Sequence, residues 1–154
     1  MNLLQDIEYY GKEIMGLLGD ADFAAKLSSI TTEKGSDFTL DIFASRKYGW
    51  ASVEAEVPAL YVMGLREELV SDAGYGRWML FKFAIEVYDT GADTEELEKK
   101  LNRYARAISE TLLAEYRDDG TVVAVDYSPV FKYEDSLFKA VSIAFSLKKF
   151  QDIT

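Results

Sequence analysis

Apolar residues recur along this chain in two rhythms: steps of three and four in some stretches, strict alternation in others. Leu3, Leu4, Ile7, Tyr10, Ile14, Leu17 and Leu18 form one stripe and predict a helix over 2–18. Gly11 and Gly16 weaken it, and Gly19 marks its expected end. A short helical turn is expected at 22–27, then a Ser/Thr/Gly/Asp-rich loop over 28–37. Phe38, Leu40 and Ile42 alternate with Thr39 and Asp41, the pattern of a strand. Residues 45–52 read as a polar and aromatic loop, and 58–65 as a strand opened by Pro58, a position a strand tolerates.

The remainder is more regular. After a loop over 66–77, acidic and then glycine-rich, residues 78–88 read as a long strand. Met79, Phe81, Phe83, Ile85 and Val87 lie on one face; Leu80, Lys82, Ala84, Glu86 and Tyr88 lie on a mixed second face. Over 94–116 the stripe Leu97, Leu101, Tyr104, Ala105, Ile108, Leu112 and Tyr116 predicts a helix, with Asp93 as its cap and Glu96 three residues on. A valine-rich strand is expected at 121–127, a turn region at 128–136 and a last strand at 137–150, where Leu137, Val141, Ile143, Phe145 and Leu147 alternate with Phe138, Ala140, Ser142, Ala144 and Ser146. The order helix, strand, strand, strand, helix, strand, strand predicts an α+β fold. Its single mixed or antiparallel sheet would carry both helices on one apolar face. The length, 154 residues, fits one domain spanning 1–154.

Composition narrows the chemistry. There is no cysteine and no histidine, which removes thiolate catalysis, zinc–thiolate sites and the commonest general base. The net charge of −10 opposes binding to a phosphate backbone, so no sequence-specific nucleic acid is expected. The first residues lack a basic segment and read as no signal peptide. No apolar run suffices for a membrane span, and a cytoplasmic protein is expected.

The acidic pairs Glu67-Glu68, Glu95-Glu96 and Asp118-Asp119 do not converge by spacing, since adjacent helical side chains point apart. Capping and turn roles account for the last two. No calcium-loop pattern or phosphate loop is present. No catalytic, cofactor or metal residue is therefore assigned, and the chain is expected not to be an enzyme. Arg46, Lys47, Tyr48 and Trp50 mix cations with aromatics, which suits local packing, contact with a protein partner or stacking on bases, the last opposed by the charge of the chain.

The stretches 57–64, with its Pro-Ala pair, 78–88, 94–108 and 144–147 resemble the tail terminator, or tail completion, proteins of long-tailed bacteriophages. The likeness lies in element order and texture over most of residues 1–150. It implies a structural, non-catalytic role: a hexameric ring that caps a finished tail tube, stops its polymerisation and offers a docking surface to the head connector. The implied partners are further copies of the chain, the tail tube protein and the head–tail connector protein. The implied location is the bacterial cytoplasm during assembly and then the virion tail. On this reading Lys82, Glu86, Tyr88 and Phe138 form an inter-subunit sheet face, and Glu67, Glu68 and Asp72 turn towards the ring lumen, where carboxylates would repel passing DNA. Another phage neck component and a small acidic module for a cationic partner remain the alternatives.

Overall fold

The computed structural model describes residues 5–50 and 56–152. The expected start of the first helix at 2–4 and the end of the 45–52 loop lie outside them. Among the described residues are three helices, α1 (Ile7–Leu17), α2 (Ala21–Glu33) and α3 (Thr94–Glu115). The strands are β1 (Ser45–Tyr48), β2 (Ala59–Asp72), β3 (Gly76–Thr90), β4 (Gly120–Tyr127), β5 (Phe131–Tyr133) and β6 (Ser136–Asp152). They form one mixed sheet in the order β1-β2-β3-β6-β4, with β5 against the start of β6. Only the β1–β2 pairing is parallel.

The α+β class and the packing of helices on one sheet face are as the hydrophobic pattern predicts. Alternation sends Phe81, Phe83, Ile85 and Val87 of β3 and Val141, Ile143, Phe145 and Leu147 of β6 to the same face, where all are buried. The Tyr10 ring of α1 meets Phe81 at 5.0 Å between centroids, and Tyr116, just past α3, meets Phe145 at 5.8 Å. α1 and α3 therefore cover the same side. α2 rides on α3, held by Lys26 to Glu110 at 3.0 Å and Arg106 to Glu33 at 2.6 Å. Phe23 of α2 reaches Tyr104 of α3 through Phe43, which lies between their rings.

Several local expectations are corrected. The helical turn at 22–27 and the first half of the 28–37 loop belong to a single 13-residue helix, so the helices number three rather than two. Thr31 and Thr32 return their hydroxyls to the carbonyls of Leu27 and Ser28, which accommodates them inside the helix. The alternating stretch 38–42 pairs with no strand; Leu40 and Phe43 are buried as loop residues, while Ile42 is exposed. The strand lies a few residues later, at Ser45–Tyr48, inside what the sequence presents as a loop. The turn region 128–136 contains β5, joined to β6 by Glu134 and Asp135, both with positive φ, the backbone of a tight two-residue hairpin.

The largest correction concerns 66–77. Instead of a loop, it is the outer half of a long antiparallel hairpin, with β2 running to Asp72 and β3 starting at Gly76. β2 carries bulges between Gly64 and Arg66 and between Leu69 and Ser71. Each inserts one unpaired residue and so reverses which parity of residue faces the helices. Gly64 faces them opposite Phe83. Beyond the first bulge Glu67 does so opposite Phe81, while Glu68 turns to the other face opposite Leu80.

Candidate functional surface

The open side of the sheet, away from the helices, carries no helix among the described residues, though Ala59, Tyr61 and Met63 are buried on it; the four residues expected on an inter-subunit face all lie on this side. Lys82, Glu86 and Tyr88 occupy alternate positions of β3, and Phe138 lies opposite Thr90 on β6. Lys82 pairs with Glu68 at 3.4 Å across the strands. The Tyr88 hydroxyl donates to Glu86 at 2.9 Å, and burial followed by that bond pushes its pKa up to about 12. Phe138 stacks on Phe131, with centroids 5.7 Å apart and planes 16° apart, and Tyr133 meets it edge-on.

The open face has a floor of small side chains, Ala84, Ala140, Ser142, Ala144 and Ser146, between two aromatic groups. One is the Phe131, Tyr133 and Phe138 group. At the far end Phe150 lies between Tyr75 and Trp78, and the Lys148 ammonium sits 5.2 Å from the Trp78 ring.

The acids Glu67, Glu68 and Asp72 are not gathered on one surface. Glu67 reaches under α1 and accepts from the backbone N–H of Ile7 at 3.0 Å, a stabilising place for a carboxylate at a helix N-terminus. Glu68 serves Lys82, with Arg66 at 3.8 Å. Asp72 holds the hairpin tip by accepting from Gly74 N–H at 2.8 Å.

Arg46, Lys47, Tyr48 and Trp50 are likewise divided. β1 alternates, so Arg46 and Tyr48 turn to the helix side and Lys47 to the open side, beside Tyr61. Arg46 donates to the carbonyl of Met15 at 3.2 Å and lies against Gly19; Tyr48 lies against Gly11. Those two glycines leave room that a Cβ would take. Trp50 is 78% exposed. What the sequence did not flag are the exposed apolar residues along the hairpin and β4: Leu65, Leu69, Val70, Tyr75, Val123 and Val125.

A groove of about 350 Å³ opens at the start of α3, lined by Asp37, Phe38, Ala92, Asp93, Glu95, Glu96 and Lys99. Its acids are committed. Asp93 accepts from Glu96 N–H, and Glu96 accepts from Ala92 N–H. Glu95 pairs with Lys99. Asp37 takes a two-pronged bond from the buried Arg103, at 2.7 and 3.1 Å, which holds its carboxyl down at about 2. Arg103 also lies 4.4 Å from the Phe38 ring. With each carboxylate occupied, the groove presents no free acid and base for general catalysis. Among the described residues no cluster of three or more acids could hold a metal ion, and no helix is long and apolar enough to cross a membrane.

These features define an α+β chain with one helix-covered sheet face, one open face and a projecting hairpin. No protein-family profile matches it, and no curated protein does. Among solved structures, a chain described as belonging to the virion of a native gene transfer agent particle is similar over 90% of this chain and 90% of that one, at 17% identity and a TM-score of 0.43. At that overlap the likeness carries no functional weight.

Proposed function

We propose that this chain is a structural subunit of a phage-type particle and acts as a tail terminator. Copies form a hexameric ring on the end of the tail tube, stop its growth and present a surface to the head connector. The hexamer, the tube and the connector come from the sequence resemblance. The observation supporting an assembly role is the long hairpin, whose outer half carries exposed apolar side chains beside a sheet face that no helix covers among the described residues. Exposed apolar surface of this kind is ordinarily reserved for a partner. The engaged carboxylates of the α3 groove favour the same reading over catalysis.

In such a ring the open face, with Lys82, Glu86, Tyr88 and Phe138, meets neighbouring subunits or the tube, and Trp50 is the exposed aromatic offered to a partner. Of the hairpin acids, Glu67 is tied to α1, which leaves Glu68 and Asp72 as those able to turn towards a lumen. Light-scattering mass across a range of protein concentrations, with and without tail tubes, tests the proposal. A mass rising to six chains and binding to tube ends is expected. A monomer at every concentration that ignores tubes would overturn it.

A further inference from the structure

Among the described residues both edges of the sheet are bare over stretches of similar length. On one side β4 meets no outer strand among the described residues. Its sequence, Gly-Thr-Val-Val-Ala-Val-Asp-Tyr, holds one charged residue, Asp126, and neither lysine nor proline. Edge strands usually carry such guards against pairing with other chains. Here the guards are reduced to one acid and the bulge between Val122 and Ala124. Val123, Val125 and Tyr127 are 63%, 36% and 40% exposed.

On the other side β1 covers β2 only from Ala59 to Val62. Beyond it the outer edge of β2 meets no strand among the described residues over 65–72, where Leu65, Leu69 and Val70 are 57%, 54% and 48% exposed. Each bare edge is thus flanked by three exposed apolar side chains.

We propose that β4 of one copy pairs with the outer half of β2 of the next, so that the sheet runs on from subunit to subunit. This deepens the assembly reading above and rests on it. Three properties favour a second copy as the occupant. The first is direction. β4 is antiparallel to β6, β6 to β3 and β3 to β2. Repetition about an axis along the strands therefore brings β4 against the next β2 in the antiparallel sense. The second is charge: β4 brings a single acid, Asp126, and so adds little repulsion to an edge that already holds Glu67, Glu68 and Asp72 beside Arg66. The third is that the two edges differ, so the contact is heterologous, the kind that propagates into a ring.

Within one copy Ala124 stands level with Ala144, Ala84 and Met63. Reaching the 65–72 stretch therefore needs a stagger of about five residues, or roughly 17 Å along the strands, of the kind that tilted strands provide in a closed sheet.

The absence of cysteine makes the test direct. Val125 and Leu69 both lie on the helix side of the sheet, opposite Ile143 and Met79. Chains carrying Val125→Cys and chains carrying Leu69→Cys, mixed and oxidised, should form a disulfide-linked pair; neither should do so alone. To allow for register, Val123→Cys is also mixed with Leu65→Cys and Leu69→Cys, and linkage in any of the mixed pairs is the expected result. Val123→Lys, at an exposed bulge, should raise the concentration for half-assembly about tenfold or more with the circular dichroism unchanged. Linkage of Val125→Cys to itself in place of the mixed pairs would show β4 meeting β4 and overturn the proposal. Assembly by light scattering with no mixed linkage would overturn the edge pairing and leave the ring reading standing. Monomers at every concentration, with and without tubes, would overturn both.

Discussion

Asp89 is 4% exposed on the helix side of β3, and burial raises its carboxyl to about 6 from an ordinary 3.8. Its neighbours pull in both directions: Lys100 lowers the value, while Asp41 and Glu96 raise it, and Asp89 accepts from Thr90 N–H at 2.7 Å. A raised acid favours the fold in its protonated form. Its contribution is present below about pH 4 and is lost as pH rises through 6, a change of at most about 3 kcal/mol. Asp89→Asn, which keeps an acceptor for Thr90, should therefore stabilise the protein at pH 7.5 by about 1–3 kcal/mol and flatten its pH dependence between 4 and 6.5 in urea titrations. At Gly11 two effects of Gly11→Ala compete. A mid-helix glycine replaced by alanine gains up to about 1 kcal/mol of helix stability. The new methyl would collide with the Tyr48 ring, and such overpacking costs about 1–3 kcal/mol. The collision should prevail, lowering the midpoint of thermal unfolding; an unchanged or higher midpoint would mean that Tyr48 moves aside freely.

At the scale of elements, legibility followed regularity of burial. β3 and β6 pair without a register shift from Gly76 with Asp152 to Thr90 with Phe138, and one face of each is covered throughout. Their alternation is therefore unbroken in sequence. α3 was readable for the same reason, with its cap. Asp93→Ala should cost the protein about 1 kcal/mol, measured by chemical denaturation. The outer half of β2 was illegible because both of its faces are wet and two bulges interrupt its period, so Leu-Arg-Glu-Glu-Leu-Val-Ser-Asp shows no alternation. α2 was half hidden by Ser28, Ser29, Thr31 and Thr32, although Phe23, Leu27 and Ile30 keep helical spacing. The 38–42 stretch misled in the opposite way: its alternating apolar residues serve a loop that fills space against α3, where the Tyr104 hydroxyl donates to Asp41 O. Of the site residues, Lys82, Glu86, Tyr88 and Phe138 were placed on one face by parity alone. The division of Arg46 from Lys47, and of Glu67 from Glu68, depended on a short strand and a bulge that leave no mark in composition.

For the whole molecule the governing quantity is the net charge of −10 on 154 residues. Copies of such a chain repel one another at distances that ordinary salt screens, the Debye length being about 10 Å at 0.1 M. Self-assembly should therefore strengthen as sodium chloride rises from 20 to 300 mM, read as a larger scattering mass at fixed protein concentration. An assembly weakened by salt would instead show that contacts between opposite charges hold the copies together. A module seizing a cationic partner would show the same weakening in its one-to-one complex.

The paired bulges of β2 restrict how this protein can change by insertion and deletion. Removing Leu65, the extra residue of the first kink, would restore plain alternation and leave everything distal to it in place, with Glu67 still opposite Phe81 and Glu68 opposite Leu80. Adding one residue between Arg66 and Glu67 with the kink kept would instead turn over what lies beyond it, sending Glu67 away from the Ile7 amide and Glu68 away from Lys82. The outer arm can be trimmed or extended in steps of two, or by one residue where a kink is lost or gained with it. Homologous hairpins that reach different distances should therefore differ by even numbers of residues wherever their kinks are retained.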